Sequence, residues 1–316
     1  MSLYKINDSS ASTDASDHKS DSIPKSNELL HRFSHDAGVL DCTVSSDDLT
    51  IFSGGCDNRL CSLDVKSLGS PTIMGQHSAP IRCVEYSNAG NMVITGSWDK
   101  SVKIWDINSQ QCTATLALPD KLFAMSCVES SYRLICGIAG RVIYIYDLRN
   151  MKEPQQKRES SLKHQTRNIE CHPNGEQYVV SSIEGRVAVE YFDPSPEVQG
   201  RKYAFKCHRV TDKTTGFQTI YPVNAITFHP IFKTFATGGG DGVVNIWDGA
   251  NKKRICQFPP YNTSIASLDF NSNGSMIAIA SSYTWEHGDK ARPSDAIWIR
   301  RIKESESKPK VKKQDK

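Results

Sequence analysis

The feature that most constrains the fold of this 316-residue chain is a twelve-residue pattern that occurs three times. Residues 53–64, 95–106 and 237–248 read SGGCDNRLCSLD, TGSWDKSVKIWD and TGGGDGVVNIWD. Each copy ends a short β-rich run with small residues, turns at an aspartate, and starts a second run that ends in another aspartate. The pattern therefore predicts the same pair of antiparallel strands at three places in the chain.

Three further copies of the pattern are weaker. In residues 140–147 and 185–191 a glycine takes the place of the turn aspartate, and in the last copy an insertion separates residues 275–282 from residues 296–301. Copies that end in Trp-Asp and recur every ~40 residues are typical of WD repeats. Each such repeat forms a four-stranded sheet that packs radially against its neighbours. The sequence therefore predicts an all-β WD-repeat β-propeller over residues 33–302, with six repeats visible.

Both ends of the chain differ in composition from the repeats. Residues 9–22 are almost all Ser, Asp, Ala, Thr, Lys and His, which bury too little apolar surface to order a segment, so we expect residues 1–32 to be disordered. We expect residues 303–316 to form a charged disordered tail. The sequence shows neither the apolar core of a signal peptide nor an apolar run of membrane-spanning length, which favours a soluble nuclear or cytoplasmic protein.

The ten cysteines and the small net charge of +3 argue against several classes of function. No CxxC pair occurs, and most of the cysteines lie in apolar strand-like runs, so we expect free and mostly buried thiols. The adjacent pairs Cys171–His172 and Cys207–His208 lack the spacing of a zinc framework. We therefore expect no metal and no cofactor, and the modest charge argues against nucleic acid as the main partner.

One set of side chains resembles catalytic machinery, namely His77, Thr95, Asp99 and Trp105. Their spacing favours a structural hydrogen-bond network instead, in which the turn aspartate holds the histidine, the histidine reaches the hydroxyl, and the hydroxyl meets the indole N–H. The sequence also lacks P-loop, HExxH and GxSxG motifs. We therefore expect a structural role for the four residues and no enzymatic activity.

Arg186, Arg209 and Trp98 are the candidate peptide-binding residues. Arg186 follows a turn glycine and Arg209 ends a strand, so both side chains are predicted at one face of the propeller. A guanidinium group suits a carboxylate or a phosphate, although a solvated arginine at a strand end is the common alternative. Trp98 precedes a turn aspartate, where the ring either anchors a partner or packs over the next blade.

Long runs of the chain resemble one known family. The runs are residues 80–86, 95–99, 158–163, 183–191, 203–209, 221–226 and 263–268. They resemble the mitotic-checkpoint WD-repeat family of the third budding-uninhibited-by-benzimidazole type, and the likeness extends from about residue 35 to residue 301. The resemblance implies a non-enzymatic adaptor of the spindle assembly checkpoint, located in the nucleus and at kinetochores in mitosis.

The resemblance also implies two kinds of partner and the residues that bind them. A short motif in the checkpoint kinase and its pseudokinase relative is expected to bind across one face, with its glutamates paired to Arg186 and Arg209. Phosphothreonine in Met-Glu-Leu-Thr repeats of a kinetochore scaffold is expected to be read by Arg209 with support from Lys233. A phosphate group brings negative charge and three acceptor oxygens, which paired cations recognise.

The chain departs from that family at its beginning. The family has seven blades, and the first repeat, with its Ser-Trp-Asp turn, is not recognisable here, so the first blade is expected to be absent or incomplete and an open sheet edge is expected. The alternative reading is the related messenger-RNA-export WD-repeat adaptor of the nuclear pore, which shares residues 183–187 and 206–209. Residues 187–191 and 158–163 look more like the checkpoint family.

Overall fold

The structure, a computed structural model, describes residues 1–5, 28–285, 288–291 and 293–309. These residues contain 27 strands and two short α-helices. All strand pairs are antiparallel, and the sheets follow one another along the chain in a six-bladed propeller arrangement. The predicted all-β WD-repeat β-propeller is therefore confirmed, and each main sheet is called a blade below.

The chain starts with a hairpin that the sequence did not predict. Its strands are β1 (Ser2–Lys5) and β2 (Glu28–Arg32), which pair with each other. The backbone N–H of Phe33 extends the pairing by donating to the carbonyl of Met1 at 3.0 Å. The expected disorder is therefore wrong for these two strands, because paired backbone groups order them despite the polar sequence between them. Residues 6–27 lie outside the described residues.

Blades 1 to 3 each contain four strands in the order inner, second, third and outer. Blade 1 consists of β3 (Val39–Val44), β4 (Thr50–Gly55), β5 (Arg59–Asp64) and β6 (Thr72–Gln76). Blade 2 consists of β7 (Ile81–Ser87), β8 (Met92–Ser97), β9 (Ser101–Asp106) and β10 (Gln111–Ala117). Blade 3 consists of β11 (Leu122–Val128), β12 (Arg133–Ile138), β13 (Val142–Asp147) and β14 (Gln156–Glu159), with short 3₁₀ turns at Glu129–Ser131 and Ala139–Arg141.

Blades 4 to 6 differ more among themselves. Blade 4 consists of β15 (Thr166–Cys171), β16 (Gln177–Ser182), β17 (Arg186–Tyr191), helix α1 (Pro196–Gln199) and β18 (Tyr203–Lys206). A separate hairpin of β19 (Arg209–Thr211) and β20 (Gln218–Ile220) precedes blade 5, which consists of β21 (Val223–Phe228), β22 (Phe235–Gly239), β23 (Val244–Asp248) and β24 (Lys253–Gln257). Blade 6 consists of β25 (Ile265–Phe270), β26 (Met276–Ser281) and β27 (Ala296–Arg301).

The hydrophobic core is divided among the interfaces between successive blades. Five buried clusters occur, one at each interface from blades 1 and 2 to blades 5 and 6. At the interface of blades 1 and 2, for example, Phe52 and Leu60 pack with Ile81 and Val84. Among the described residues no such cluster joins blade 6 to blade 1, nor do their inner strands pack as the other neighbours do.

Four carboxylates from the inner strands approach the propeller axis, namely Asp41, Glu85, Glu170 and Asp269. Asp41 and Asp269 add to the raised pKa of Glu85, and the other three carboxylates add to the raised pKa of Glu170. Burial is the largest cause: it raises the pKa of Glu85 to about 8, and it raises that of Asp41 to about 6 against the lowering effect of a hydrogen bond from the N–H of Val84. The pKa of Glu170 lies well above its ordinary value for the same reason. In the channel along the propeller axis, Glu85 thus keeps its proton at pH values between 4.5 and about 8, where an unfolded chain would release it.

The C-terminal end is partly ordered. Helix α2 (Glu304–Ser307) packs beside blade 5, and the hydroxyl of Thr234 donates to the carbonyl of Ser307 at 2.8 Å. Arg300 also donates to Glu306 at 2.8 Å. The expected disordered tail is therefore wrong for this helix, and residues 310–316 lie outside the described residues. No helix among the described residues is long and apolar enough to span a membrane.

Candidate peptide-binding face

The connections of each blade lie at two opposite ends. The turn between the second and third strands lies beside the segment that leads into the inner strand of the same blade, and we call this end the upper face. Backbone bonds join the two connections, as where the N–H of Trp98 donates to Pro80 and that of Ile183 donates to Gln165, both at 3.1 Å. The loops between inner and second strands lie at the other end, the lower face.

The structure brings His77, Thr95, Asp99 and Trp105 together in blade 2 as predicted. His77 Nδ1 lies 2.8 Å from Asp99 Oδ2, His77 Nε2 lies 2.8 Å from Thr95 Oγ1, and the indole N–H of Trp105 donates to Thr95 Oγ1 at 2.8 Å. Thr95 and His77 are buried. The hydroxyl is therefore enclosed and engaged on both sides, which suits a structural role and leaves no access for a substrate.

The charges of this network are set by burial and hydrogen bonding. Burial lowers the pKa of His77 in spite of the neighbouring carboxylate, so the imidazole is neutral at neutral pH. Burial by itself raises the pKa of Asp99, but the hydrogen bonds it accepts, including one of 2.6 Å from Ser101, lower that pKa to about 2. The imidazole consequently donates from Nδ1 to Asp99 and accepts at Nε2 from the hydroxyl of Thr95.

Blade 5 contains the same network, and blade 1 contains the histidine, hydroxyl and aspartate of it. In blade 1, His35 lies 2.9 Å from Asp57 and 2.8 Å from Ser53, and Leu63 takes the place of the tryptophan. In blade 5, His208 lies 2.9 Å from both Asp241 and Thr237. The sequence did not reveal the role of His208, because 29 residues separate it from Thr237 whereas 18 separate the equivalent pairs. The hairpin β19–β20 is inserted between the two residues and accounts for the difference. A search upstream of the turn residue Asp241 that allowed for an insertion would have found His208.

Blade 4 has a different network that the sequence did not reveal. The buried carboxylate of Glu190 accepts from the hydroxyl of Tyr178 at 2.9 Å and from the hydroxyl of Ser161 at 2.7 Å. Arg158 donates to the backbone carbonyls of Tyr191 and Phe192 nearby. These contacts fix the third strand of blade 4, β17, whose first residue is the candidate Arg186.

Arg186 and Arg209 meet at one carboxylate on the upper face. Arg186 Nε lies 3.3 Å from Glu184 Oε2, and Arg209 Nη2 lies 3.8 Å from Glu184 Oε1. His164 Nε2 is 3.5 Å from the same carboxylate. Lys206 adds a further cation, because it is the register partner of Arg186 across the β17–β18 pair, where side chains share a face of the sheet. The structure therefore groups the two predicted arginines.

The two arginines differ in accessibility. The side chain of Arg209 is 10% exposed and donates to the carbonyl of Glu184 at 2.7 Å, to that of Gly185 at 3.4 Å and to Gln218 at 3.3 Å. Those contacts tie the turn before β17 to the hairpin β19–β20. The side chain of Arg186 is 33% exposed and has Glu184 as its charged partner. Arg186 is thus the more available of the two for an incoming carboxylate.

Trp98 and Lys233 occupy other places. Trp98 lies half-buried in the upper-face turn of blade 2, and its enclosed indole N–H has no hydrogen-bond acceptor among the described residues. Lys233 is exposed in the loop after β21 and donates to the carbonyl of Pro230. Arg209 precedes β21 at the upper face and Lys233 follows it at the lower face, so about 17 Å of strand separates them. The predicted pairing of Arg209 with Lys233 in one phosphate site is therefore wrong.

The cysteines and possible metal ligands offer no competing site among the described residues. All ten thiols are free, and five of them are buried. No group of three or more His, Cys, Asp and Glu side chains in the described part of the chain has the arrangement of a metal site. The upper face of blades 4 and 5 is therefore the candidate site that the geometry favours.

Comparison with known proteins agrees with this architecture. The family model described as "WD domain, G-beta repeat" matches residues 27–62, 70–106 and 213–248. The chain is 50% identical to "Mitotic checkpoint protein BUB3.1" of Arabidopsis thaliana over 291 residues, which are 90% of this chain and 84% of that relative. The chain belongs to the Bub3 family of mitotic checkpoint proteins. It is also 44% identical to "Mitotic checkpoint protein bub-3" of Caenorhabditis elegans, over 88% of this chain and 81% of the relative.

Two further matches are less similar to this chain than the Bub3 proteins are. "mRNA export factor GLE2" of Chaetomium thermophilum is 37% identical over 80% of this chain and 70% of the relative, below the Bub3 proteins in identity and coverage. The structure entitled "Crystal structure of WD40 beta propeller domain of Doa1" superposes with a TM-score of 0.65 at 18% identity, covering 81% of this chain and 79% of that chain. That likeness shows the WD-repeat propeller fold alone. A role in the mitotic checkpoint is thus supported by the Bub3 relatives.

Proposed function

We propose that this chain is a non-enzymatic adaptor of the spindle assembly checkpoint, which acts in the nucleus and at kinetochores in mitosis. Its partners are a short glutamate-bearing motif in checkpoint kinases and phosphothreonine-containing Met-Glu-Leu-Thr repeats of a kinetochore scaffold. Membership of the Bub3 family supports the checkpoint role. The observation that carries the binding site is that Arg186, Arg209 and His164 converge on the single carboxylate of Glu184.

The position of Glu184 supports a binding site for a motif carboxylate. Its side chain occupies the position between two guanidinium groups that an incoming glutamate requires, and it is itself 26% exposed. Arg209 is held by backbone carbonyls as well and stays in place when Glu184 moves. An incoming glutamate therefore displaces the carboxylate of Glu184 from Arg186. The guanidinium group of Arg186 has a charged hydrogen-bond acceptor both before and after binding.

Phosphothreonine is read at the same end of blade 4. Arg186 and Lys206 share one face of the sheet, and Arg209 lies beside them across Glu184. Three cations within one region suit a phosphate, which has three acceptor oxygens and about −1.5 to −2 charge. Lys233 has no part in this site because it lies on the lower face.

A binding titration tests the proposal. The full chain is titrated with a peptide of the kinase motif, beside Arg186→Glu and the matched control Arg149→Glu. Arg149 lies at the lower face and also pairs with a carboxylate, that of Asp147 at 2.6 Å. We expect Arg186→Glu to weaken binding by at least about tenfold and Arg149→Glu to leave it unchanged. Equal affinities for all three proteins would refute the site.

The second candidate function is that of a messenger-RNA-export adaptor at the nuclear pore, which the likeness to GLE2 favours. Localisation separates the two functions. A checkpoint adaptor concentrates at kinetochores in mitosis, whereas an export adaptor concentrates at the nuclear rim in interphase. Rim staining without kinetochore staining would favour the export function.

A further inference from the structure

His164 is a histidine of the upper face whose imidazole meets one carboxylate. It lies between β14, the outer strand of blade 3, and β15, the inner strand of blade 4. Its side chain is 52% exposed, and its Nε2 atom lies 3.5 Å from Oε2 of Glu184. The imidazole has no other polar partner in the part of the chain that the structure describes. Any change in the charge of His164 is therefore felt first by Glu184.

Glu184 divides its carboxylate among three basic side chains. Its Oε2 atom faces Nε of Arg186 at 3.3 Å and Nε2 of His164 at 3.5 Å, whereas its Oε1 atom faces Nη2 of Arg209 at 3.8 Å. Arg209 has a nearer acceptor in the backbone carbonyl of Glu184, at 2.7 Å. Arg186 and His164 thus compete for one oxygen atom. If Arg186 releases that atom, the imidazole is still beside it.

The surface around His164 carries more cations than carboxylates. On the side of blade 3, Arg141 donates to the carbonyl of Leu162 at 3.3 Å and pairs with Glu159. The charged residues of the neighbouring elements are five cations and two carboxylates, namely Arg141, Lys163, Arg186, Lys206, Arg209, Glu159 and Glu184. A further carboxylate or phosphate that reaches this surface therefore meets a local excess of positive charge.

Binding of a motif glutamate changes the charge that His164 faces. The incoming carboxylate takes Arg186, and Glu184 is left with His164 and Arg209 as its basic partners. Two carboxylates then lie where one lay before, and an added negative charge favours the protonated form of a nearby imidazole. Imidazole is the side chain that ordinarily changes charge between about pH 5 and 8, and once protonated it donates from both ring nitrogens.

We propose that His164 is a positioning residue of the peptide site, which takes up a proton as the motif binds and holds the carboxylate of Glu184 that the motif displaces. The inference rests on the proposed function and deepens it, because it makes affinity for the motif depend on pH. Binding that takes up a proton is favoured where protons are abundant, so the affinity rises as the pH falls from 8 to 6. His164 acts through Glu184 and not by contact with the ligand.

Peptide titrations at two pH values test the inference. The full chain is titrated at pH 6.0 and 8.0 with the kinase-motif peptide, whose N-terminus is acetylated so that no α-amino group titrates. We expect the wild-type chain to bind the peptide at least about threefold more tightly at pH 6.0. Calorimetry at pH 7.0 detects the proton itself, because phosphate and Tris buffers give different heats when they release one. The measured heat of binding should therefore differ between the two buffers.

Two substitutions of His164 separate its charge from its shape. His164→Gln cannot be protonated, so it should bind equally at both pH values, with an affinity near that of the wild-type chain at pH 8.0. His164→Lys stays protonated, so it should also bind equally at both, with an affinity near that of the wild-type chain at pH 6.0. The control is His31→Gln on β2, which should keep the pH dependence of the wild-type chain. A purely structural role of His164 would instead change the affinity by one factor at both pH values.

A change of Glu184 tests whether His164 acts through this carboxylate. In Glu184→Gln the protonated imidazole has no displaced carboxylate to hold, so binding of the peptide should no longer depend on pH. The heats measured in phosphate and Tris should then be equal once the ionisation of the buffers is the only difference between them. A pH dependence that survives in Glu184→Gln and disappears in His164→Gln would mean that His164 pairs with the ligand itself, which would overturn the role proposed for it.

The failure of this inference and that of the proposed function give different results. If the wild-type chain binds the peptide equally well at pH 6.0 and 8.0, or if His164→Gln keeps the pH dependence, the inference is wrong and the peptide site stands. If no peptide binds to the wild-type chain at either pH, while a cooperative thermal melt shows that the chain is folded, the proposed function is wrong and the inference is wrong with it.

Discussion

Replacing Glu85 by glutamine is expected to stabilise the fold at pH 7.5 and to flatten its dependence on pH. Burial raises the pKa of this carboxyl from 4.5 to about 8, with further upward contributions from Asp41 and Asp269. Between these two values the folded chain holds a proton that the unfolded chain releases. The stabilisation linked to this proton is complete below pH 4.5 and is lost as the pH rises through about 8.

The magnitude follows from the linkage relation. One retained proton changes the free energy of unfolding by about 1.4 kcal/mol per pH unit, so the upper limit between pH 5.5 and 7.5 is about 2.7 kcal/mol. Because Glu85 keeps part of its surface open to the channel, screening by water reduces the expected loss to roughly 1–2 kcal/mol. Glutamine cannot ionise, so the variant should avoid that loss and gain stability at pH 7.5 by a similar amount.

Urea unfolding at pH 5.5, 6.5 and 7.5 measures this effect. The control is Glu153→Gln, at an exposed glutamate outside the channel. We expect the wild type and the control to lose stability in parallel as the pH rises and Glu85→Gln to lose less. A variant whose stability runs parallel to that of the wild type, or is lower at pH 7.5, would refute the account of the channel.

Three other predictions concern the blades and the upper face. Thr95→Val keeps the shape of the side chain but leaves His77 Nε2 and the Trp105 N–H without a hydrogen-bond partner. The free energy of unfolding, measured with denaturant, should therefore fall by about 2–4 kcal/mol, and a change near zero would contradict the network. Gly238→Ala places a methyl group against Ile265 and should lower stability by about 1–3 kcal/mol in the same assay, whereas an unchanged midpoint would contradict the contact between blades. Glu184→Gln removes the carboxylate that competes for Arg186, so a titration should show an acidic peptide binding about two- to fivefold more tightly. Weaker binding would contradict the proposal that an incoming carboxylate displaces Glu184.

The sequence predicted most reliably those features in which several side chains must keep a fixed spacing to contact one another. The histidine, hydroxyl, aspartate and tryptophan of blade 2 must keep a fixed register to reach one another, so their spacing predicted both the turn and the network. The split copy in blade 6 was equally readable, because β26 and β27 pair residue for residue across the insertion. In each case a local pattern carries the pairing information.

Features that depend on distant pairing were not predictable in the same way. β1 and β2 are too short to give a periodic signal, and the polar residues between them conceal their pairing. The family resemblance implied that Arg209 and Lys233 bind one phosphate, but the two residues flank strand β21, which places its two ends on opposite faces. Nor did the sequence show that Glu184 joins Arg186 to Arg209, since that contact depends on the turn of β17 meeting the hairpin β19–β20.

The central claim is that Arg186 pairs with a glutamate of the bound motif, and a charge swap tests it most directly. Arg186→Glu and the wild-type chain are each titrated with the kinase-motif peptide and with a set in which each glutamate in turn is replaced by lysine. The account predicts that one of these peptides binds Arg186→Glu at least about tenfold more tightly than the unchanged peptide does, while it binds the wild-type chain more weakly. If no swap restores binding to Arg186→Glu, the motif does not pair with Arg186 and the proposed site is wrong.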